Sequence, residues 1–257
     1  MKNLIKNLYL IVTQLGIDPR RLLWSIRGLF PFIRDYLSYR RQLGTSRQGL
    51  RISSLTPFLA DRYDSSGVAS GHYFHQDLWA ARKIYQASPA QHYDVGSSVS
   101  GFVAHLLSFR EVQVIDIRPL SSEVDGLSFV QADATALSNF ADNSIESISS
   151  LHAAEHFGLG RYGDPVDPDG HFKFMNSLQR VLKPGGRLYF GIPCGKEALY
   201  FNAHRVLSPH TVLNVFSSLR LVSFSCVKDD GRLYKDVGPE EVAKENYGCG
   251  LFEFTKD

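Results

Sequence analysis

Apolar and polar positions change their rhythm partway along the chain. From residue 74 onward, stretches with helical spacing alternate with short apolar runs. The helical stretches are Gln76–Ala87, Phe102–Ser108, Phe172–Leu182 and Pro209–Leu219. The short runs predict a strand ending at Asp94 and strands over Val112–Asp116, Leu127–Gln131, Ile145–Leu151, Arg187–Ile192, Leu221–Val227 and Leu251–Phe254. That alternation predicts an α/β domain with a doubly wound, mostly parallel sheet. Upstream the rhythm is helical only. Leu4, Ile5, Leu8, Ile11, Val12 and Leu15 recur on one face, and Asp18 is placed to cap a second helix with Pro19 in its first turn. That helix is expected to run to Leu29 or Phe30, where Pro31 breaks or kinks it. Residues 43–70, rich in Gly, Ser and Arg, read as an irregular connector. The expected organisation is a helical leader and connector over 1–70 and the α/β domain over 71–257.

Charge sharpens this division. Residues 1–52 carry ten Lys/Arg against two Asp/Glu, so the remainder carries 18 against 24, and the whole chain is +2. In the second leader helix Arg20, Arg21, Arg27 and Arg34 interleave with Leu22, Leu23, Trp24, Ile26, Leu29, Phe30, Phe32 and Ile33. Such a segment can lie on an anionic membrane surface, bind a protein partner through residues 1–40, or pack on its own domain. A nucleic-acid partner is not expected, because these arginines are interleaved with aliphatics and the body is acidic. No apolar run reaches the ~18–20 residues needed to span a bilayer, and no cleavage site follows the N-terminal apolar stretch. Cys194, Cys226 and Cys249 are widely separated and odd in number, which fits a reducing cytoplasm and no disulfide framework. Cytoplasmic localisation is therefore expected, with peripheral attachment at the inner membrane surface left open. At 44% apolar residues the chain can bury a sizeable core.

Candidate chemistry gathers at the ends of the expected strands. The first ends in Asp94-Val95-Gly96-Ser97-Ser98-Val99-Ser100-Gly101, where glycine permits a tight turn and the following helix start offers free N–H groups. Asp116 ends the second strand and can accept from both ribose hydroxyls of a nucleotide. Asp133-Ala134 follows the third, where Asp133 can accept from an adenine amine. Each signal alone is weak. Three at the C-terminal ends of consecutive strands point to a nucleotide-type site formed by Asp94, Gly96, Ser97, Ser98, Asp116, Asp133 and Ala134.

Asp94-x-Gly96, Asp116, Asp133 and the later Leu182-Lys183-Pro184-Gly185-Gly186 together resemble the motif series of class I S-adenosylmethionine-dependent methyltransferases. The resemblance implies a seven-stranded sheet with its last strand antiparallel, and S-adenosyl-L-methionine as cofactor. The chain departs from the family loop by placing Ser98 and Ser100 where second and third glycines are usual. A nicotinamide cofactor is disfavoured, since G-x-G-x-x-G spacing is missing. Four runs, His72–Asp77, Asp94–Ser98, Glu155–Pro165 and Phe201–Arg205, also resemble a bacterial family, domain-of-unknown-function family 268. Members of that family are often linked with surface-polysaccharide synthesis, which implies a glycan or other sugar-containing, anionic acceptor.

In class I methyltransferases the segment after the fourth strand faces the transferable methyl group. Here it is His152-Ala153-Ala154-Glu155-His156. The resemblance makes His156 the expected base for an acceptor hydroxyl, with His152 second and His204 a further candidate. His152 and His156 are four apart, a spacing that shares one helical face and also suits a metal, but the sequence offers no third ligand and no metal is expected. Arg161, Tyr162 and Asp164, from a loop short of apolar residues, and Asn202 and Arg205 are the candidate acceptor-binding residues. An Arg161–Asp164 pair that merely closes the loop is the alternative. His72, Tyr73, His75 and Gln76 can form a lid or simply start a helix. Two functions remain in view: an O-methyltransferase, and a catalytically degenerate binding or assembly subunit of envelope-glycan synthesis.

Overall fold

The computed structural model describes residues 2–46 and 49–257, with side chains from Asn7 onward, and divides into two compact units that meet at Val68 and Ala69. In the first unit, α1 spans Lys2–Gln14 and α2 spans Pro19–Leu43. The side chains of Leu4 and Ile5 lie outside the described residues. Asp18 caps α2, its Oδ1 accepting from the N–H groups of Arg20 at 2.9 Å and Arg21 at 3.3 Å. Contrary to the sequence expectation, α2 runs through Pro31 for a further twelve residues. The connector holds it on both sides of the proline. Before Pro31, the backbone of Leu59 crosses Gly28 so closely that no Cβ fits; beyond it, Asp35 pairs with Arg62.

The second unit is built on an eight-stranded sheet in the order β3-β2-β1-β4-β5-β10-β8-β9. The strands are β1 (Tyr93–Val95), β2 (Val112–Asp116), β3 (Leu127–Gln131), β4 (Ile145–Leu151), β5 (Leu182–Cys194), β8 (Arg220–Val227), β9 (Leu233–Tyr234) and β10 (Gly248–Thr255). The five first strands are parallel, and β10 inserts antiparallel between β5 and β8. Seven of these strands match the expectation. The eighth, β9, is a two-residue edge strand too short to leave a pattern. Leu182–Gly186 is absorbed as a bulge at the start of β5, where pairing jumps from Ile145–Leu182 to Ser147–Arg187.

Helices α3 (His72–Ala87) and α4 (Ala104–Leu107) cover one face of the sheet, and α5 (Gly170–Val181) and α6 (Pro209–Val215) the other. Alternate residues of β5 feed the two cores: Tyr189 packs with Trp79, Ile84, Phe102 and Leu106, while Phe190 packs with Phe174, Leu178 and Phe216. Several boundaries move from the sequence reading. α3 begins four residues early, α5 two, β5 five and β10 three, α6 stops four residues short of Leu219, and the helix expected from Phe102 is a π-type turn over Val99–Val103 leading into α4. A small hairpin, β6 (Ala198–Tyr200) with β7 (His204–Val206), carries the Asn202–Arg205 run.

Candidate active site

Two adjoining pockets open at the C-terminal edge of the parallel strands and share Gly96, Asp116, Arg118, His152, His156 and Tyr162, forming one cleft. Its first half is framed by local bonds. Gly96 turns the chain at φ +69, with room for a Cβ only 3.0 Å from that of Ala153. Beneath it Asp94 is fully buried and accepts three bonds: from Ser97 Oγ at 2.7 Å, Ser97 N–H at 3.1 Å and Ser149 Oγ at 2.6 Å. Burial pushes its carboxyl up to about 6. Asp94 does not line the cleft, so it positions Ser97 and the loop instead of meeting a ligand. Ser98, the departure from the glycine pattern, accepts from Gly101 N–H at 3.2 Å and so caps the π-type turn.

Asp116 and Asp133 line the cleft, with Val95, Ile115, Ile117, Ala134 and Phe157 as apolar walls. Asp133 Oδ1 accepts from the N–H and Oγ of Thr135 at 2.9 and 2.7 Å. Asp116 is occupied by Arg118, whose backbone N–H, Nε and terminal nitrogen reach it at 2.9, 3.1 and 2.8 Å. Burial raises the Asp116 carboxyl, but the bonds from Arg118 outweigh it and hold the group below the usual range. The same guanidinium lies 4.5 Å over the ring of Tyr162. The sequence reading passed over Arg118, although its place two residues after the strand-end acid was a usable signal.

The second half is a cluster of imidazoles around a buried acid. His152 sits at φ +53 and only Ala154–His156 forms a single tight turn, so His152 and His156 do not share a helical face as expected. What joins them is Glu155, 1% exposed, whose Oε1 lies 2.7 Å from His152 Nδ1 and 3.6 Å from His156 Nε2. Glu155 Oε2 has no partner among the described residues. Nε2 of His152 stands 3.1 Å from Nδ1 of His72, at the start of α3, and the Tyr73 ring packs on His152 at 5.1 Å. Tyr247 stacks on His72 at 4.9 Å and meets His204 at 4.8 Å. His156 Nδ1 lies 2.7 Å from the carbonyl of Ala203, so that nitrogen carries the proton and donates it, leaving the lone pair on Nε2. Burial, with the charge of Arg161, outweighs Glu155 and holds His156 below its ordinary value. Burial likewise lowers His204.

The acceptor-side candidates separate. Arg161 and Tyr162 line the cleft, with Arg161 donating to the Ala203 carbonyl at 2.8 Å and making no pair with Asp164. Asp164 instead accepts from the N–H groups of Gly158 at 2.8 Å and Tyr162 at 3.2 Å, which closes the loop. Gly158, at φ +77, lies against the carbonyl of Asp167 with no space for a Cβ. Arg205 is buried and braces this loop, donating to the carbonyls of Glu155, Phe157 and Pro168 at 3.3, 2.7 and 3.4 Å, and it does not reach the cleft. Asn202 is exposed on the β6–β7 turn, outside both pockets. Cys249 and Tyr247, from β10 and the segment before it, join the histidines with no sequence signal at all.

Comparison with known proteins fits this geometry. Residues 119–231, less than half the chain, match a family model described as "Caenorhabditis protein of unknown function, DUF268". Its description names Caenorhabditis where the sequence resemblance implied bacteria, and the match includes the Glu155–Pro165 and Phe201–Arg205 runs but neither of the earlier two. No curated protein matches the chain. Among solved structures, a putative sarcosine dimethylglycine methyltransferase from Galdieria sulphuraria is similar with a TM-score of 0.51 and 15% identity, covering 72% of this chain and 86% of that one. The YcgJ protein of Bacillus subtilis is similar with a TM-score of 0.50 and 16% identity, covering 71% of this chain and 98% of that one. The second unit therefore has the class I methyltransferase fold.

Proposed function

We propose that the chain is an S-adenosylmethionine-dependent O-methyltransferase whose acceptor is a sugar-containing molecule of surface-polysaccharide synthesis. The observation that carries this reading is the convergence, in one cleft, of the Gly96 turn, Asp116 and Asp133 with a histidine whose free lone pair faces a buried carboxylate. The residues present fit the cofactor. Gly96 bares the backbone, Asp116 and Asp133 offer acceptors to ribose and adenine, and Ile115, Ile117 and Ala134 give an apolar wall for a ring. When bound, S-adenosylmethionine supplies a methyl carbon that is already electrophilic. The chain's own task is to orient the acceptor oxygen and remove its proton. His156 takes that proton at Nε2 while Nδ1–H remains on the Ala203 carbonyl, and Glu155 stabilises the imidazolium that results. Arg161 and Arg118 give the acceptor side positive charge, which suits an anionic sugar.

A second reading, a degenerate binding subunit, is favoured by one observation: Arg118 already occupies both oxygens of Asp116. Calorimetry separates the two. A methyltransferase binds S-adenosylmethionine and S-adenosylhomocysteine, and a degenerate domain binds neither.

The leader supports a peripheral membrane role. No described helix is long and apolar enough to cross a membrane. In α2, Leu22, Leu23, Ile26, Leu29, Phe30 and Ile33 are exposed among arginines. Full-length protein is expected to sediment with anionic vesicles at low salt and to release as salt rises, and an Arg20→Glu/Arg27→Glu variant is expected to stay in solution. Equal binding by both proteins would remove this role.

A further inference from the structure

We infer that His72, His152 and Cys249 form a binding site for a transition metal of the zinc class at the rim of the cleft. The three come from distant parts of the chain, the start of α3, the end of β4 and β10, yet His72 Nδ1, His152 Nε2 and Cys249 Sγ all lie within 4.8 Å of one another. A tetrahedral zinc, with Zn–N of about 2.05 Å and Zn–S of about 2.3 Å, spaces its ligating atoms about 3.3–3.6 Å apart. The two imidazole nitrogens already stand 3.1 Å apart. The thiol needs to come in by little more than about an ångström to complete the set.

Two further features support a metal over a simple hydrogen bond. The first is Glu155. Its carboxylate holds His152 at Nδ1, 2.7 Å away, and thereby turns Nε2 toward the site. A ligand histidine fixed through its other nitrogen by a carboxylate is the usual outer arrangement of a metal centre. The second is Cys249. Its side chain is fully buried and makes only long contacts, to the Gly250 carbonyl at 3.8 Å and Gln76 Oε1 at 3.9 Å. A shared proton explains the His72–His152 contact but not the thiol placed beside it.

The donor set decides the kind of ion. Two imidazoles and a thiolate suit zinc and related transition metals and offer none of the oxygen ligands that magnesium or calcium require. Three protein donors leave a fourth position for water or a ligand oxygen. Of the three donors, His152 is the one that lines the cleft, in both of its pockets.

Cobalt(II) is the probe, titrated into chelator-treated full-length protein in the absence of S-adenosylmethionine, so that the outcome is independent of the methyltransferase reading. One cobalt per chain is expected, with the intense visible bands of a tetrahedral ion and a thiolate charge-transfer band, all lost on adding zinc. Cys249→Ser should abolish the charge-transfer band. His72→Gln, at a partly exposed helix start where the fold is little at risk, should weaken cobalt binding by at least about 100-fold, and Glu155→Gln by roughly 10- to 100-fold. His204→Gln, on the far side of Tyr247, should bind as the parent does. Absence of tetrahedral bands in the parent, or bands that survive unchanged in both Cys249→Ser and His72→Gln, would overturn the site.

Discussion

Two buried carboxylates lie beneath the one cleft, and they behave in opposite ways. Asp94 receives only neutral donors, two serine hydroxyls and a backbone N–H, and burial carries its carboxyl up to about 6. Glu155 is as deeply buried, but the imidazoles of His152 and His156 outweigh the burial and hold it below its ordinary value. The difference lies in the partners, not the depth. Around Asp94 the protein has a frame: every bond stiffens the loop that carries Gly96 and Ser98. Around Glu155 it has a set of titratable groups able to exchange charge. In the proposed function, the first half holds a ligand and the second moves a proton.

The test with the largest expected effect strikes the second half alone. His156→Ala should slow methyl transfer from labelled S-adenosylmethionine to a glycan extract by roughly 10²- to 10⁴-fold, the yield of a positioned base. Cofactor affinity by calorimetry should stay as in the parent, because the bonds around Asp94, Asp116 and Asp133 are untouched. Should His204→Ala produce that loss while His156→Ala does not, the base lies on the β7 hairpin and Glu155 is only structural.

The next test strikes the first half. Asp116→Ala removes the acceptors proposed for the ribose hydroxyls, at a cost of about 2–4 kcal/mol, or roughly 30- to 900-fold in affinity. An unchanged affinity in a variant that melts like the parent would move the cofactor elsewhere. Read together, the two variants ask whether holding and proton transfer are separable, as the contrast between Asp94 and Glu155 implies.

The same contrast explains what the sequence could reveal. Around Asp94 the partners are three residues away or on the neighbouring strand, and strand-end acids recur at fixed places in an α/β sheet, so Gly96, Asp116 and Asp133 were legible. The histidine half depends on elements far apart in sequence. His72 and His152 are 80 positions apart, and Cys249 lies on a strand that inserts into the sheet from the C-terminus. No local pattern encodes that meeting, which is why Cys249 was not grouped with the histidines and a helical face was invoked to join His152 with His156. Arg205 shows a related limit. A polar residue in a loop can serve the loop itself, and here the carbonyls of Phe157 and Pro168 take it up, while Asp164 lines the cleft and also accepts from the N–H of Gly158. Pro31 shows the same limit in the fold: α2 continues past a residue that ends helices on local grounds, with Leu59 and Arg62 contacting it on either side.

The smallest expected effect probes the point where the two halves touch. Arg118 bonds Asp116 in the holding half and lies over Tyr162, whose ring meets His156 edge-on at 5.5 Å. Its side chain is 52% exposed, so the pair contributes no more than about 1 kcal/mol after solvent screening. If ribose hydroxyls need the same Asp116 oxygens, the guanidinium must step aside on binding. Arg118→Ala should then raise S-adenosylmethionine affinity by up to about fivefold, and it should have no effect in an Asp116→Ala background, since the competition exists only while the carboxylate does. Loss of affinity in Arg118→Ala would mean that the arginine meets the ligand itself, placing charge recognition inside the holding half. No change at all would mean that Arg118 and the cofactor do not compete for Asp116, and the ribose site would have to be sought away from that carboxylate.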